Sequence, residues 1–507
     1  MAVGDASLDG CGARGGAGKS RDRTLFRINR ITEKEMLRSL DHKLTDWPVC
    51  AIISISNRNN HLASKILLGI RREDKNPWER RVPLIPVHAR ELIRDQGIGI
   101  WIQPSAIRVF SDEDYRREGV KLSEDLSPCS IVLAVKEIPP EFFRDGGVYV
   151  FFSHTIKGQP HNMPMLQRMV ELRATLIDYE RIIDEQGRRL VFFGRQAGQA
   201  GMIDSLWALG KRLELEGISS PFSSIRQTIG YGSLVDAVES IKKVGWEIYK
   251  RSLDSRIVPL VFGFCGYGHV SQGAQEIFDL LPFEEISPAK LAGRFKKKDL
   301  SEKKVYKTVF KEADMVRPKD RRQVFELQDY YDHPHKYRPV LERSLPYLTG
   351  LINAIYWAPK YPRFVTKKFL KGLFSGRETP RLRVIGDLSC DVNGGVECTL
   401  LCTDPSSPVF TYDTRTGEAK MGFAGRGPVV VAVDNLPAEI SLESSVFFSQ
   451  VLKPFIPDLC KADFSSTFAH LRLPPQLRKA VILHRGELTP DYAYMRDFLR
   501  SSIRSHP

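Results

Sequence analysis

Residues 258–281, VPLVFGFCGYGHVSQGAQEIFDLL, change from the pattern of a strand to that of a helix across a glycine-rich turn. The first part is a continuous apolar run, typical of a parallel strand that is covered on both faces. From Ser271 onward the apolar residues recur at helical spacing. Gly266 and Gly268 lie in the turn between the two parts, and Gly273 follows inside the helix. Such a turn lets the backbone approach a pyrophosphate, which would rest on the N–H groups at the start of the helix.

The turn differs from the standard dinucleotide fingerprint G-x-G-x-x-G. Ser271 occupies the third glycine position, and Gly273 comes two residues later. Two interpretations remain open: a turn that binds a dinucleotide through Gly266, Gly268, Ser271 and Gly273, and a glycine-rich turn that binds no ligand. The change from strand to helix across the turn favours the dinucleotide.

The composition is that of a soluble globular protein. The chain has 507 residues, enough for two or three domains, with 42% hydrophobic and 27% charged residues. No apolar run approaches the length of a membrane span, so we expect no membrane partner. The eight cysteines include no CxxC pair, which favours reduced thiols over a disulfide framework or a metal site.

The positive charge is concentrated in one segment. The formal net charge is +14, and residues 290–343 contain sixteen basic and nine acidic residues, an excess of seven. No zinc-finger, RRM or helix-turn-helix pattern accompanies this segment. We therefore expect a solvated insertion or a site for a small anion, and no nucleic-acid partner.

Residues 1–64 form a separate N-terminal extension in the sequence pattern. Their start is rich in Gly, Ala and Ser, which predicts partial disorder, and a short strand is predicted over residues 49–54. The arginines suit a mitochondrial leader, whereas Asp5, Asp9 and Asp22 argue against one. The sequence therefore favours the cytoplasm slightly and leaves the mitochondrial matrix possible.

Four successive apolar strands each finish on charged or titratable residues. In an open parallel sheet, ligands bind beyond the carboxyl ends of the strands, so these residues are expected to converge on one crevice. Taken singly, each residue also suits a solvated loop, a surface ion pair or a turn. The strands and the residues that follow them are 65–70 with Arg71, 130–135 with Lys136 and Glu137, 148–153 with His154, and 174–177 with Asp178, Tyr179 and Glu180.

The alternation of strands and helices predicts two domains. A long amphipathic helix from Gly194 to about Glu216 would carry the chain into the second domain, and its small residues would permit close packing on a sheet. The remainder of the chain, which runs through Val429 and a helix over 441–452, is expected to return to the first domain. We thus predict an α/β fold of two Rossmann-like domains with parallel sheets around a cleft. The dinucleotide-binding domain (193–392) is inserted into the substrate domain (65–192 and 393–507).

The later strands of the second domain also end in polar groups. Strands are predicted over 348–357 and 382–389, with Asn353 and Asp387 near their ends as further cofactor-binding residues. The strand over 283–286 is expected to reach the adenosine ribose. Ser287 stands at its end and Arg294 with Lys296–Lys298 follows, which favours a 2′-phosphate and therefore NADPH over NADH. The alternative is that this basic cluster is a solvated surface.

A set of motifs in fixed order gives the sequence a close resemblance to a known family. The set covers residue 65 to the C-terminus, and its members are Arg71-Arg72-Glu73, Trp78-Glu79-Arg80-Arg81, Val135-Lys136-Glu137, residues 151–157 (FFSHTIK), Ile177-Asp178-Tyr179-Glu180, residues 197–202 (AGQAGM), residues 270–275 (VSQGAQ), Leu351-Ile352-Asn353 and residues 434–438 (DNLPA). Together these motifs resemble the lysine-ketoglutarate reductase part of α-aminoadipic semialdehyde synthase. The resemblance to fungal saccharopine dehydrogenase and to alanine dehydrogenase is more distant.

The resemblance implies an NADPH-dependent condensation of L-lysine with 2-oxoglutarate to saccharopine, a step of lysine degradation. Loss of water from a carbinolamine and proton transfer at nitrogen need two groups with pKa values near neutrality, and the substrate carboxylates need arginines. The implied roles are acid–base catalysis for Lys136 and His154, binding of substrate carboxylates for Arg71 and Arg189, and tuning or positioning for Glu137, Lys157 and Glu180.

Two alternatives to this function remain open, an alanine-dehydrogenase-like amino-acid dehydrogenase and a non-catalytic nucleotide-binding regulatory subunit. The turn at 263–269 carries larger residues than the family's turn, which bears on cofactor affinity. The second enzyme domain of the bifunctional family is absent from this sequence. We therefore expect saccharopine to reach a separate, glutamate-forming saccharopine dehydrogenase chain. The oligomeric state is left open.

Overall fold

The computed structural model describes residues 66–504. The predicted extension over 1–64 and its strand over 49–54 lie outside the described residues. In chain order, the strands are β1 (Leu67–Ile70), β2 (Gly99–Ile102), β3 (Lys121–Leu122), β4 (Ile131–Leu133), β5 (Val148–Phe151), β6 (Thr175–Asp178), β7 (Leu260–Cys265), β8 (Phe283–Glu285), β9 (Val305–Phe310), β10 (Val316–Pro318), β11 (Tyr337–Pro339), β12 (Gly350–Asn353), β13 (Val384–Asp387), β14 (Val409–Asp413), β15 (Glu418–Met421), β16 (Val429–Val431), β17 (Val481–His484) and β18 (Glu487–Leu488).

The α-helices lie between these strands and after them. In chain order, they are α1 (Pro86–Gln96), α2 (Asp112–Arg117), α3 (Met163–Glu171), α4 (Gly194–Leu215), α5 (Leu234–Arg251), α6 (His269–Phe278), α7 (Pro288–Lys297), α8 (Glu312–Met315), α9 (Leu327–Asp332), α10 (Lys367–Leu373), α11 (Ser441–Leu452), α12 (Ile456–Lys461), α13 (Pro475–Ala480) and α14 (Arg496–Arg504). Among the described residues, none of these helices is both long and apolar enough to cross a membrane.

The first sheet has the strand order β18-β17-β6-β5-β4-β1-β2-β3. Strands β1 to β6 run parallel, and β17 joins β6 in the antiparallel direction. Every residue of β4, β5 and β6 is buried, as the continuous apolar runs predict for strands covered on both faces. The carboxyl ends of β6, β5, β4 and β1 therefore lie side by side at one edge.

The second sheet has the strand order β15-β14-β16-β13-β12-β7-β9-β8. Strands β16, β13, β12, β7, β9 and β8 are parallel, whereas β14 and β15 form an antiparallel edge. The chain builds the first sheet, then the whole second sheet, and returns to the first sheet with β17. The predicted α/β fold of two mostly parallel sheets, with the second inserted into the first, is confirmed.

Helix α4 connects the two sheets and is buried around most of its surface. A Cβ atom at Gly198 would lie 1.9 Å from the carbonyl oxygen of Val270, and one at Gly273 would lie 2.1 Å from that of Arg195. The small residues of α4 therefore serve close packing against helix α6. The predicted close packing on a sheet is also present, because a Cβ atom at Gly386 of β13 would lie 2.4 Å from Oγ of Ser205 in α4. The amphipathic pattern underestimated the burial of α4.

The predicted domain boundary at residue 393 disagrees with the strand pairing. Strands β14, β15 and β16 lie after that residue, yet they extend the second sheet, because β16 pairs with β13 and β14 pairs with β16. We call the parts of the chain built around the first and second sheets the first and second lobes. The chain returns to the first lobe after β16, where Phe448 and Leu452 of α11 pack into the hydrophobic core around the first sheet. The helix predicted over 441–452 is present with the same bounds.

Candidate active site

The strand ends of the first sheet bring several predicted residues to one edge. Arg71 follows β1, Lys136 lies just beyond β4, His154 beyond β5 and Glu180 beyond β6, and these four strands are neighbours. The predicted convergence of the four strand ends is therefore present in the fold. The hydrogen bonds and ion pairs of these four side chains show which other residues each of them contacts.

His154, Glu137 and Lys75 form a continuous chain of charged contacts. Nδ1 of His154 lies 2.7 Å from one oxygen of Glu137, and Nζ of Lys75 donates to the other oxygen at 2.7 Å. Burial raises the pKa of Glu137, but the hydrogen bond and charge of His154, together with Lys75, outweigh this and hold that pKa far below its usual value. A charged Glu137 accepts a hydrogen bond from Nδ1–H, so it fixes the orientation of the imidazole. The His154 ring also stacks on Phe152.

Lys136 has a lowered pKa in this setting. Burial is the main cause, and the charge of Arg81 acts in the same direction, whereas Glu79, Glu137 and Asp434 oppose both. Such a lysine reaches its neutral form at a lower pH than a solvated lysine and can then accept a proton.

Glu73 holds the backbone of the strand end that carries Lys136. Its two carboxylate oxygens accept hydrogen bonds from the N–H groups of Val135 and Lys136, at 2.6 and 2.9 Å. Burial, with a contribution from the charge of Glu79, raises the pKa of Glu73 to about 7. The same buried carboxyl thus fixes the start of the Lys136 side chain and titrates near neutral pH.

Glu79 and Arg81 form a buried, two-pronged ion pair beside Lys136. Nε and Nη2 of Arg81 donate to the two oxygens of Glu79 at 2.7 and 2.6 Å. Asn435, in the segment that returns from the second sheet, bonds to both partners at 2.9 and 2.8 Å. The guanidinium also covers the Phe193 ring at 4.6 Å, just before α4 begins. The ion pair therefore ties the first sheet to both connections between the lobes.

Arg71 and Arg189 differ in how they could meet a substrate carboxylate. The Arg71 side chain is only 4% exposed and is paired with Asp74, and its guanidinium lies over the Phe142 ring at 5.0 Å. Arg189 is 48% exposed and reaches Glu180 at 3.0 Å. The Arg71 guanidinium is therefore less accessible than that of Arg189 in this structure.

Lys157 interacts electrostatically with a residue of the second lobe. Its charge acts on Asp391, whose pKa is raised by burial. Asp391 belongs to the loop that follows β13. Lys157 and Asp391 therefore lie on opposite lobes within electrostatic reach of each other.

The glycine-rich turn after β7 fits a phosphate group. Gly266 has φ +91°, and a Cβ atom there would lie 2.6 Å from Cγ2 of Ile355. Gly268 precedes the first residue of helix α6, and a Cβ atom on it would meet nothing within 4 Å. The first N–H groups of an α-helix have no partner within the helix. The open space at Gly268 therefore leaves room for a pyrophosphate to approach them.

Four other predicted cofactor residues lie behind this turn or beside it. Ser271 is fully buried, and Gly273 contacts helix α4 as described above. Asn353 and Asp387 are also buried, and the Asn353 amide donates to Asp387 at 2.8 Å across the ends of β12 and β13. Contact of these four residues with a cofactor stays a prediction, and in this structure their buried positions support the turn and the strand ends from behind.

The strand next to β7 is β9, which differs from the prediction for the ribose site. The N–H of Gly266 donates to Phe310, the last residue of β9, at 2.9 Å, whereas β8 lies one strand further out. The residues that follow β9 are Lys311 and Glu312. Arg294 of the predicted basic cluster instead pairs with Glu284 and Asp299, each at 2.9 Å. The cluster therefore follows a strand that lies one position further from β7 than β9 does.

Several residues that complete this site carried no assigned role in the sequence analysis. They are Glu73, Lys75, Glu79, Arg81, Asn435, Lys311 and Glu312. The first loop beyond β1 supplies four of them, and the motifs around Arg71 and Trp78 marked that loop without stating what it contacts. Among the described residues, no group of three or more His, Cys, Asp or Glu side chains is arranged to hold a metal ion.

Comparisons with known proteins give a family match over part of the chain and a likeness of fold. Residues 69–200 match the family model described as alanine dehydrogenase/PNT, N-terminal domain. The fold is similar to that of an L-alanine dehydrogenase of known structure, with a TM-score of 0.55 and 17% identity, covering 86% of this chain and 100% of the other. At that identity the likeness concerns the fold alone.

The more specific likeness is to α-aminoadipic semialdehyde synthase, so the predicted resemblance is confirmed. The chain is 38% identical to the Arabidopsis thaliana protein over 465 residues, which covers 88% of this chain and 43% of the relative. It is 35% identical to the mitochondrial Mus musculus protein over 457 residues, covering 87% and 49%. This chain thus spans just under half the length of these two relatives.

A more distant relative is covered over most of its length. It is the NAD(+), L-lysine-forming saccharopine dehydrogenase of Emericella nidulans. That protein is 25% identical over 410 residues, which covers 76% of this chain and 91% of the relative.

Proposed function

We propose that this chain joins the ε-amine of L-lysine to 2-oxoglutarate and reduces the resulting imine to saccharopine. The observation that carries the proposal is that two titratable side chains follow the neighbouring parallel strands β4 and β5 at one edge of the first sheet. One group is Lys136, with its lowered pKa, and the other is His154, held by Glu137 and Lys75. The names of the relatives, α-aminoadipic semialdehyde synthase and saccharopine dehydrogenase, support the choice of substrates.

The two groups divide the proton transfers of the condensation. Neutral Lys136 accepts a proton from the ε-ammonium of the substrate, which frees the nitrogen lone pair for attack on the ketone carbon. The C–N bond forms as the π bond of the ketone breaks, and a proton passes from the attacking nitrogen to the oxygen to give the carbinolamine. His154 donates a proton to the hydroxyl of the carbinolamine, which leaves as water while the C=N bond forms. Glu137 remains charged and stabilises the imidazolium through Nδ1. Each group returns to its starting state by exchange with solvent.

Substrate carboxylates need cations at defined positions. Arg189 is exposed enough to form a two-pronged contact with one carboxylate of 2-oxoglutarate, for which it would leave Glu180. Glu180 would then be free to hold the ammonium group of the incoming lysine. Lys157 faces the site from beyond β5, where it can neutralise a second carboxylate. Arg71 is proposed as a further carboxylate partner after it separates from Asp74.

A nicotinamide dinucleotide supplies the hydride when bound. Gly266, Gly268 and the start of α6 would hold its pyrophosphate, because the turn has open space there. We propose NADPH as the cofactor. Lys311 follows β9 directly and can pair with a 2′-phosphate, whereas Glu312 next to it would favour the ribose hydroxyl of NADH. The cofactor choice therefore depends on the balance between these two residues.

A substrate panel tests the reaction. Oxidation of NADPH is followed with lysine plus 2-oxoglutarate and, separately, with pyruvate plus ammonia, and the product is identified by mass spectrometry. Saccharopine formation with the first pair supports the proposal. Turnover with pyruvate and ammonia alone would assign an alanine-dehydrogenase-like activity. Cofactor binding without any turnover would favour a regulatory subunit.

A pair of variants tests the cofactor choice. Lys311→Ser is expected to lower kcat/KM for NADPH and the affinity measured by NADPH fluorescence, with little effect on NADH. Arg294→Ser is the matched control, because its guanidinium is engaged by Glu284 and Asp299. Equal use of both cofactors by the wild type would refute the choice of NADPH. An effect of the control alone would return the 2′-phosphate to the cluster after β8.

A further inference from the structure

Cys390 and Cys402 bring two thiols together in the loop that follows β13. Sγ of Cys390 donates to the carbonyl oxygen of Ala432 at 2.9 Å, and Sγ of Cys402 donates to the carbonyl oxygen of Cys390 at 3.2 Å. Cys402 is exposed, whereas Cys390 is half-buried. The accessible thiol of Cys402 thus lies against the backbone of the residue that carries the more sheltered thiol.

The pKa values of the two thiols are shifted in opposite directions. Hydrogen bonding with the other thiol lowers the pKa of Cys402 and raises that of Cys390, because the S–H of Cys390 can donate to the thiolate of Cys402 in place of the Ala432 carbonyl. The other thiols in the described part of the chain have raised pKa values, mainly because of burial. They are Cys129, with a pKa of about 11, and the fully or largely buried Cys265, Cys398 and Cys460.

We infer that Cys390 and Cys402 form an oxidisable dithiol, which a hydroperoxide converts into a disulfide. The thiolate of Cys402 attacks the peroxide, so that an S–O bond forms, the O–O bond breaks and the departing oxygen takes up a proton to leave as water or an alcohol. Cys390 then attacks the Cys402 sulfenic acid. The S–S bond forms, the S–O bond breaks, and the thiol proton leaves with the hydroxyl group as water. Two thiols are oxidised by two electrons and one peroxide is reduced.

The position of the pair connects this oxidation with the cleft. The loop between the two cysteines carries Asp391, which interacts electrostatically with Lys157 of the first lobe. It also carries Thr399, which donates to Asp387 at the end of β13 at 2.6 Å. A disulfide would withdraw Cys390 from its bond to Ala432 and fix the ends of this loop to each other. Because the loop faces Lys157, we expect the oxidised protein to have a lower kcat/KM for 2-oxoglutarate.

Thiol reactivity gives the first test on the full-length protein. A thiol with a pKa below 9 has about a hundredfold more thiolate at neutral pH than one with a pKa of about 11, and its lower intrinsic nucleophilicity reduces the advantage to about tenfold. Hydrogen peroxide should therefore remove the Cys402 thiol about tenfold faster than the Cys129 thiol. Equal rates at Cys402 and Cys129, read by alkylation and peptide mass spectrometry, would overturn the inference.

Peptide mapping gives the second test and identifies the linked partner. Cleavage after Glu397 separates Cys390 from Cys398 and Cys402, so a disulfide from Cys390 joins two peptides. In a Cys398→Ser background the joined peptides must contain Cys390 and Cys402 and weigh about two hydrogen atoms less than the reduced pair. A Cys402 that goes only to sulfinic acid, or a link to Cys398 in the parent protein, would refute the dithiol.

Activity measurements on a matched set of variants give the third test. Peroxide should lower kcat/KM of the wild type, and dithiothreitol should restore it. Cys390→Ser and Cys402→Ser should each prevent formation of the joined peptides and the part of the loss that dithiothreitol reverses. Cys129→Ser should behave as the wild type. A reversible loss that persists in both serine variants would place the sensitive thiol elsewhere and overturn the regulatory part of the inference.

Discussion

Replacing Arg81 and Glu79 in turn should move the pH dependence of the reaction in opposite directions. Arg81→Met removes the positive charge that lowers the pKa of Lys136, so that pKa should rise. Glu79→Gln removes the negative charge that opposes this effect, so the pKa of Lys136 should fall. If Glu79 takes up a proton once Arg81 is gone, the shift in Arg81→Met stays upward, because Arg81 acts on Lys136 more strongly than Glu79 does.

The contacts of the ion pair set the cost in stability. Arg81→Met removes the bonds at 2.7 and 2.6 Å to Glu79 and the bond at 2.8 Å to Asn435. Glu79 is 1% exposed, so its charge would be left without its main partner. Breaking one side of a buried ion pair typically costs about 3–5 kcal/mol. In the double variant neither charge remains, so its loss of stability should be smaller than the sum of the two single losses.

The assay is the pH profile of kcat/KM for lysine, which reports ionisations of the free enzyme. Because Lys136 must be neutral to accept a proton, the acidic limb should move to higher pH in Arg81→Met and to lower pH in Glu79→Gln. Urea unfolding of the same proteins gives the stability change. Shifts in the same direction, or unchanged limbs in both variants, would refute the assignment of Lys136 as the proton acceptor.

Three further predictions concern catalysis, packing and pH-dependent stability. Lys136→Met and His154→Gln should each lower kcat by about a hundred- to ten-thousandfold with cofactor affinity retained in fluorescence titrations, and near-normal turnover in both would contradict the acid–base roles. Gly273→Ala should destabilise the protein by about 1–3 kcal/mol or more, since its Cβ would lie 2.1 Å from a backbone oxygen of α4. The control Gly293→Ala has open space around its Cβ, so it should keep or raise the melting temperature. Equal melting temperatures of the two variants would show that α4 moves to accommodate the added methyl group. Burial raises the pKa of Glu73 from 4.5 to about 7, so as the pH rises the unfolded chain loses this proton before the folded protein does. The free energy of unfolding should therefore fall by about 3 kcal/mol between pH 4.5 and 7. In Glu73→Gln the unfolding midpoint should lose this part of its pH dependence, and an unchanged dependence would contradict the raised pKa.

Local sequence patterns identified the strand ends of the first sheet but left their contacts undetermined. Lys136 and His154 could be placed at one edge because neighbouring parallel strands end on the same side. The loop beyond β1 has no strand or helix period, so the positions of Lys75 and Arg81 depend on tertiary packing. Glu137 was expected to tune the acid–base pair, and its contact with His154 gives that expectation a geometry.

Strand order was the main feature of the second sheet that the sequence left open. An apolar run does not state which strand it pairs with, so β8 was assigned to the ribose and β9 was overlooked. The same limit explains why β14 to β16 were expected in the first domain. Ser271 and Gly273 match the spacing of a phosphate-binding turn, yet Ser271 is buried and helix α4 covers Gly273. The contact with α4 joins segments far apart in the chain.

The backbone contact between α4 and α6 has a consequence for building hybrid enzymes. Two helices whose glycines meet the partner's carbonyl oxygens, at Gly198 and Gly273, cannot slide along each other without losing that fit. The start of α6, which would carry the cofactor phosphates, is thereby kept in a fixed position relative to Phe193, whose ring the Arg81 guanidinium covers. A chimera that imports a foreign dinucleotide domain should therefore take its crossover points before α4, so that both helices come from the same parent.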